Sequence, residues 1–171
     1  MHIQEIYFAG GCFWGTEHFF KQVKGVVQTQ VGYANGNADA APTYEQVCTD
    51  RTGFAETVRV AYDADVVSLT FLVRMFFKAI DPTLLNQQGH DVGTQYRTGV
   101  YYLQPSQRKE IQRVFDEVQR GYSQPIVVEL LPLSNFFAAE DYHQDYLDKN
   151  PQGYCHLPRE LFEWAKQTSA I

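Results

Sequence analysis

Cysteine is scarce in this chain: three residues in 171, an odd number, with no two in a C-x-x-C pair. That excludes a disulfide framework and argues against a zinc knuckle, leaving thiols that in a reducing compartment are catalytic or idle. Positive charge is also short, with 14 Lys and Arg against 20 Asp and Glu and a net charge of -6. Nucleic acid or an anionic membrane would ask for a basic face, so neither is expected as a partner. No apolar run is long enough to span a bilayer and the N-terminus lacks a basic n-region, so the expected location is the cytoplasm. Repeats, low-complexity segments and linkers are missing too, which predicts a single domain over residues 1–171, by default a monomer. What is present, a 44% hydrophobic content, is enough to bury a substantial core.

The most informative stretch is Gly10-Gly11-Cys12-Phe13-Trp14-Gly15, a thiol set between a permissive backbone and two large rings. Ile3 to Ala9 before it reads as a strand, and Thr16 to Lys24 after it carries Phe19, Phe20 and Val23 at helical spacing. Cys12 is therefore expected where a strand turns into a helix. Glycines there allow unusual dihedrals and close approach, and the helix N-terminus offers free N–H groups that favour a nucleophilic thiolate. The plainer alternative is that Cys12 is a small buried hydrophobe.

Val27, Thr29, Val31 and Tyr33 alternate as a second strand ending at Asn35-Gly36, and the turn-rich Asn35 to Pro42 reads as a loop able to fold over a neighbouring site. In Phe54 to Tyr62 the even positions are Phe54, Glu56, Val58, Val60 and Tyr62, so a third strand puts Glu56 on its apolar face. A carboxyl group so placed resists ionising, unless Arg97 or Arg51 pairs with it and keeps it charged. Ser68 caps a helix over Leu69 to Ile80, stopped at Asp81-Pro82. Gln95 to Leu103 suits a strand opened by Tyr96, Pro105 begins a helix capped by Gly121, and Ile126 to Leu131 forms a further strand. From Ser134 the chain reads as an irregular tail, with a helical piece near Glu140 to Leu147 and a last helix near Glu160 to Gln167. The order strand, helix, strand, strand, helix, strand predicts an α+β fold, a two-layer sandwich with a ferredoxin-like split βαβ core.

Five motifs, in order along nearly the whole chain, carry a family resemblance. They are Gly10 to Gly15, Thr43-Tyr44-Glu45-Gln46-Val47-Cys48, Thr52-Gly53-Phe54-Ala55-Glu56, Gly89-His90-Asp91-Val92-Gly93-Thr94-Gln95-Tyr96-Arg97 and Tyr142-His143-Gln144-Asp145-Tyr146-Leu147. Together they resemble the A-type peptide methionine sulfoxide reductases, enzymes that restore one epimer of methionine sulfoxide. The resemblance implies that Cys12 attacks the sulfoxide sulfur, Glu56 donates a proton to the departing oxygen, and Tyr44 and Tyr96 hydrogen-bond that oxygen, with Asp91 in the same polar cluster. It makes Phe13 and Trp14 the apolar wall against the substrate methyl group, and selects the S epimer, free or in proteins. It also implies that Cys155 condenses with the Cys12 sulfenic acid, that thioredoxin reduces the disulfide, and that no cofactor or metal takes part.

Cys48 is read as a packing residue at a strand edge, and His143 as a helix-capping or packing residue that could orient the site. The chain departs from the usual family pattern at Phe54 and Ile80, where histidine is common, and at His90, where asparagine is common. Phe54 on the Glu56 face is expected to make the carboxyl surroundings more apolar. Two other classes stay open: a thiol hydrolase using Cys12 with His143 as base, and a non-catalytic methionine-binding module.

Overall fold

The computed structural model describes residues 1–168. Strand β1 (Ile3–Gly10) leads into α1 (Phe13–Lys21), followed by β2 (Val26–Ala34), the short α2 (Tyr44–Cys48), β3 (Ala55–Asp63) and α3 (Leu69–Lys78). A small hairpin of β4 (Gln87–Gln88) and β5 (Asp91–Val92) precedes a 3-10 turn at Thr94–Tyr96 and β6 (Thr98–Tyr102). The chain then forms α4 (Pro105–Gln119), β7 (Glu129–Pro132), β8 (Phe136–Ala138), a 3-10 turn at Asp141–His143, α5 (Tyr146–Lys149) and α6 (Arg159–Gln167).

Six strands make one sheet in the order β7-β6-β1-β3-β2-β8, antiparallel except for the parallel pair β6–β7. Its inner four, β6-β1-β3-β2, interleaved with α1 and α3, are the split βαβ core that the alternating strand and helix patterns predict. The fold is α+β. Alternation along β1 sends Ile6 and Phe8 to the helical side and Tyr7 and Ala9 to the other. Phe8 stacks on Phe20 of α1 at 4.5 Å and on Phe76 of α3 at 5.1 Å, so the two helices and the sheet share one core. Each such ring, fully buried, contributes about 1.5–3 kcal/mol. Ser68 caps α3 by accepting from Phe71 N–H at 3.1 Å.

Several expected boundaries move. Helix α1 begins at Phe13, directly after Cys12, rather than at Thr16. Tyr96 lies on the 3-10 turn ahead of β6 rather than in the strand. Gly121 is no left-handed cap, because α4 ends at Gln119 and Arg120 keeps a right-handed helical conformation. Cys48 is the exposed last residue of α2, not a strand-edge packing residue. The tail is less irregular than expected: β8 adds a sixth strand against β2, pairing Tyr33 with Phe137. Leu133 and Phe136 pack on Tyr7, Ala9, Ala34, Ala55 and Tyr101, so the second face of the sheet is covered at this end too. That explains why Ala55 and Thr57 of β3 are buried along with Glu56 and Val58. Among the described residues, no helix is long and apolar enough to cross a membrane, and no cluster of His, Cys, Asp and Glu could hold a metal.

Candidate active site

Cys12 occupies the turn from β1 into α1, as its N-cap residue. The turn depends on Gly11, whose φ of +86° is a left-handed value that a side chain resists, and a Cβ there would stand 2.8 Å from Cβ of Gln88. The thiol is only 7% exposed. Burial pushes it well above the ordinary cysteine value, the nearby Glu56 pushes it further, and the Trp14 backbone N–H acts in the opposite sense. The expectation of a favoured thiolate is thus reversed in the free protein, because desolvation outweighs the helix N-terminus.

Glu56 reaches the same place from the sheet. Strands β1 and β3 pair Phe8 with Val58, and continuing that antiparallel register sets Glu56 beside Gly10, next to the turn. The carboxyl group is 1% exposed, and its Oε1 accepts from the Phe13 backbone N–H at 3.2 Å. Burial raises its pKa to about 8, against the pull of the Phe13 N–H and with help from Asp91. Neither candidate cation pairs with it: Arg97 bonds Glu129 at 2.8 Å and the Thr94 carbonyl at 3.0 Å, and Arg51 is exposed. At neutral pH the group therefore carries its proton. Since Oε1 already accepts, the proton belongs on Oε2, which is buried and has no partner.

The two phenols converge on this pair. Tyr44 opens α2, its backbone N–H held by Glu140 Oε2 at 3.0 Å, while Tyr33 donates to Glu140 Oε1 at 2.8 Å. Tyr96 stands just ahead of Thr98, which pairs with Gly10. Burial first and Glu56 second hold both Tyr44 and Tyr96 far above the ordinary phenol value, so both are neutral donors. Asp91 adds a carboxylate that raises Glu56 and Cys12 alike, and its Oδ2 accepts from the Tyr154 hydroxyl at 2.9 Å.

Phe13 is fully buried and Trp14 half-buried, and both pack around His143. The indole N–H of Trp14 donates to His143 Nδ1 at 2.9 Å, which places the histidine proton on Nε2. His143 also touches the rings of Tyr44 and Tyr142, and Trp14 stacks on Tyr146 at 3.7 Å. With its acceptor nitrogen occupied, His143 is an orienting group for Trp14 and cannot serve as the base of a thiol hydrolase. Cys48 is exposed and lies near Tyr44 at the outer edge of the cluster.

Cys155 follows the Asn150 to Gly153 turn and lies against α1: a Cβ on Gly15 would stand 3.1 Å from its sulfur. The Leu157 N–H donates to that sulfur at 3.4 Å, and all three cysteines are free thiols. Sequence reasoning missed Glu140, Tyr154, His156 and Glu17. Glu17, on the buried face of α1, accepts from Asp145 N–H and from the Thr29 hydroxyl, both at 2.8 Å, and so anchors the segment bearing His143 and Tyr146. A charged residue at a core position of the Phe13, Phe19 and Phe20 pattern was the available signal.

The chain matches the family model described as peptide methionine sulfoxide reductase over residues 4–170. It is 55% identical over 161 residues to the peptide methionine sulfoxide reductase MsrA of Clostridium acetobutylicum, covering 94% of this chain and 99% of that protein. Its fold is similar to that of Mxr1 from Saccharomyces cerevisiae in reduced form, with a TM-score of 0.86, 41% identity and coverage of 90% of this chain and 89% of the other. Mxr1 in complex with Trx2 matches with a TM-score of 0.61, 28% identity and 85% of each chain.

Proposed function

The chain belongs to the peptide methionine sulfoxide reductase family, and from that premise we propose how its own residues divide the reaction. The activity is a thiol-dependent reduction of methionine sulfoxide through a catalytic cysteine. We assign the nucleophile to Cys12, the proton donor to Glu56, and oxygen-binding roles to Tyr44 and Tyr96. Asp91 belongs to the same polar cluster. The observation that carries this assignment is the buried, unpartnered Glu56 Oε2 next to the Cys12 turn, where burial raises the carboxyl pKa to about 8.

The sulfoxide oxygen takes a hydrogen bond from Glu56 Oε2–H and from the two phenols, which draws electrons from sulfur and leaves it electrophilic. Cys12 Sγ attacks the electrophilic sulfur, and the oxygen, protonated by Glu56, then passes to Cys12 Sγ as the sulfoxide S–O bond and the transient S–S bond break, yielding methionine and a Cys12 sulfenic acid. One thiol plus one sulfoxide give one sulfenic acid plus one thioether, so the Cys12 proton replaces the one that Glu56 passes to oxygen. Cys12 starts as a thiol because burial opposes its charge. The polarised sulfoxide sulfur, partly positive, supplies the field that favours the thiolate only once substrate is bound.

Phe13 and the Trp14 ring held by His143 form an apolar wall for the substrate methyl group. Donors on one side and rings on the other fix the sense of the sulfur centre, which supports selection of the S epimer, free or within proteins. We further assign Cys155 as the thiol that converts the Cys12 sulfenic acid to a disulfide, and a thioredoxin as its reductant. The similarity to Mxr1, whose structure is known in complex with Trx2, supports that partner. Three cysteines, too few and odd in number for a disulfide framework, support the cytoplasm as the compartment.

The test is a single turnover without reductant, with each sulfoxide epimer, followed by thiol counting and peptide mapping. Loss of two thiols with the S epimer alone and a disulfide joining Cys12 to Cys155 is the expected result. Turnover that leaves all three thiols intact, or a disulfide that omits Cys12, overturns the assignment.

A further inference from the structure

His156, next to Cys155, has no part in the chemistry above, yet it is seated directly on the Cys12 turn. Its Nε2 lies 3.0 Å from the Gly10 carbonyl oxygen. A carbonyl only accepts, so Nε2 carries the hydrogen and donates it, while Nδ1 is left a bare acceptor with no partner. The ring lies on glycine. A Cβ at Gly11 would stand 3.1 Å from Nε2, one at Gly15 2.9 Å from Nδ1, and one at Gly89 3.6 Å from the His156 Cβ. The glycines flanking the nucleophile thus form the floor on which the tail rests. On the other side of Cys155, the Tyr154 hydroxyl is tied to Asp91 at 2.9 Å. Cys155 is bracketed by two hydrogen bonds to the site, and its sulfur is near enough to push the Cys12 thiol up.

We propose that His156 is the positioning residue for disulfide formation: its Nε2–H bond to the Gly10 carbonyl, over Gly11 and Gly15, holds the Cys155 sulfur ready for Cys12. The inference rests on the pairing of Cys12 with Cys155 assigned above. In that step Cys155 Sγ attacks the Cys12 sulfenic sulfur. An S–S bond forms, the S–O bond breaks, and the hydroxyl leaves with the Cys155 proton as water. Nothing in it requires His156 to exchange a proton. Its contribution is to keep the second sulfur in place, and loss of such placement costs about 10–100-fold in rate.

The experiment resolves the two steps in a single turnover, timing methionine release and disulfide formation separately. His156→Phe is expected to release methionine at close to the wild-type rate and to form the disulfide about tenfold or more slowly, with a trappable sulfenic acid on Cys12. His156→Gln, whose side-chain N–H can reach the same carbonyl, is expected to recover most of the rate. Gly15→Ala keeps a good helix residue but thrusts a methyl group at His156 and Cys155, and is expected to slow the second step alone. Disulfide formation at the wild-type rate in His156→Phe, equal losses in His156→Phe and His156→Gln, or equal slowing of both steps each overturn the inference. If the wild-type protein never joins Cys12 to Cys155, the underlying assignment fails instead, and the two failures are told apart.

Discussion

Replacing Glu56 by Gln tests the site through stability as well as rate. Glutamine keeps the size of the side chain, can accept from the Phe13 N–H with its oxygen, and has no charge to desolvate. In the native protein the carboxyl pKa lies at about 8, against an ordinary value of 4.5. Between those values the folded state holds a proton that the unfolded state has released, so wild-type stability falls as pH rises through this window and levels off above it. The full difference of about 3.5 units, at about 1.4 kcal/mol each, sets an upper limit near 5 kcal/mol. From about pH 5 to about pH 7 the loss is about 2–3 kcal/mol. Glu56→Gln escapes it, so urea unfolding of the two proteins across this range is expected to show the variant gaining on the wild type by that amount. The same variant is expected to lose about 10²–10⁴-fold in the rate of methionine release, the usual worth of a placed proton donor. A stability difference that stays flat with pH, together with an unchanged rate, refutes the reasoning.

Other outcomes follow from individual contacts. His143→Phe removes the acceptor of the Trp14 indole N–H, and is expected to cost about 1–3 kcal/mol in denaturant unfolding and to raise KM more than it lowers kcat. Phe54→His places a polar ring at a site 1% exposed, and is expected to lower the Glu56 pKa, read from the pH-rate profile; an unshifted profile counts against an apolar influence of Phe54. Cys48→Ser alters an exposed residue at the edge of the site, and is expected to change single-turnover rates less than about twofold, whereas Cys12→Ser abolishes them.

The strand, the turn and the glycines around Cys12 were legible because period-two hydrophobicity and a Gly-Cys-aromatic run sit side by side. Glu56 was legible for a simpler reason, a carboxyl group on the apolar parity of β3. Its proton is not visible in sequence, where Arg97 and Arg51 are both rival partners and only the fold commits Arg97 to Glu129. Strand β8 was hidden because three residues have no period of their own, and only pairing with β2 makes Phe136 to Ala138 extended. Helix α2 had a signal that went unread, the Thr43 and Gln46 capping box. The state of Cys12 depends on tertiary structure, because a helix N-terminus is visible in sequence and the burial that outweighs it is not. His156 and Tyr154 had no sequence mark beyond adjacency to Cys155, and their partners Gly10 and Asp91 come from distant parts of the chain.

The most direct measurement follows the oxygen atom. In Cys155→Ser, a single turnover with isotopically labelled S-sulfoxide is predicted to release one methionine per chain and leave the labelled oxygen on Cys12 as a sulfenic acid. Methionine release with Cys12 unoxidised, or the label found on Cys48, would contradict it.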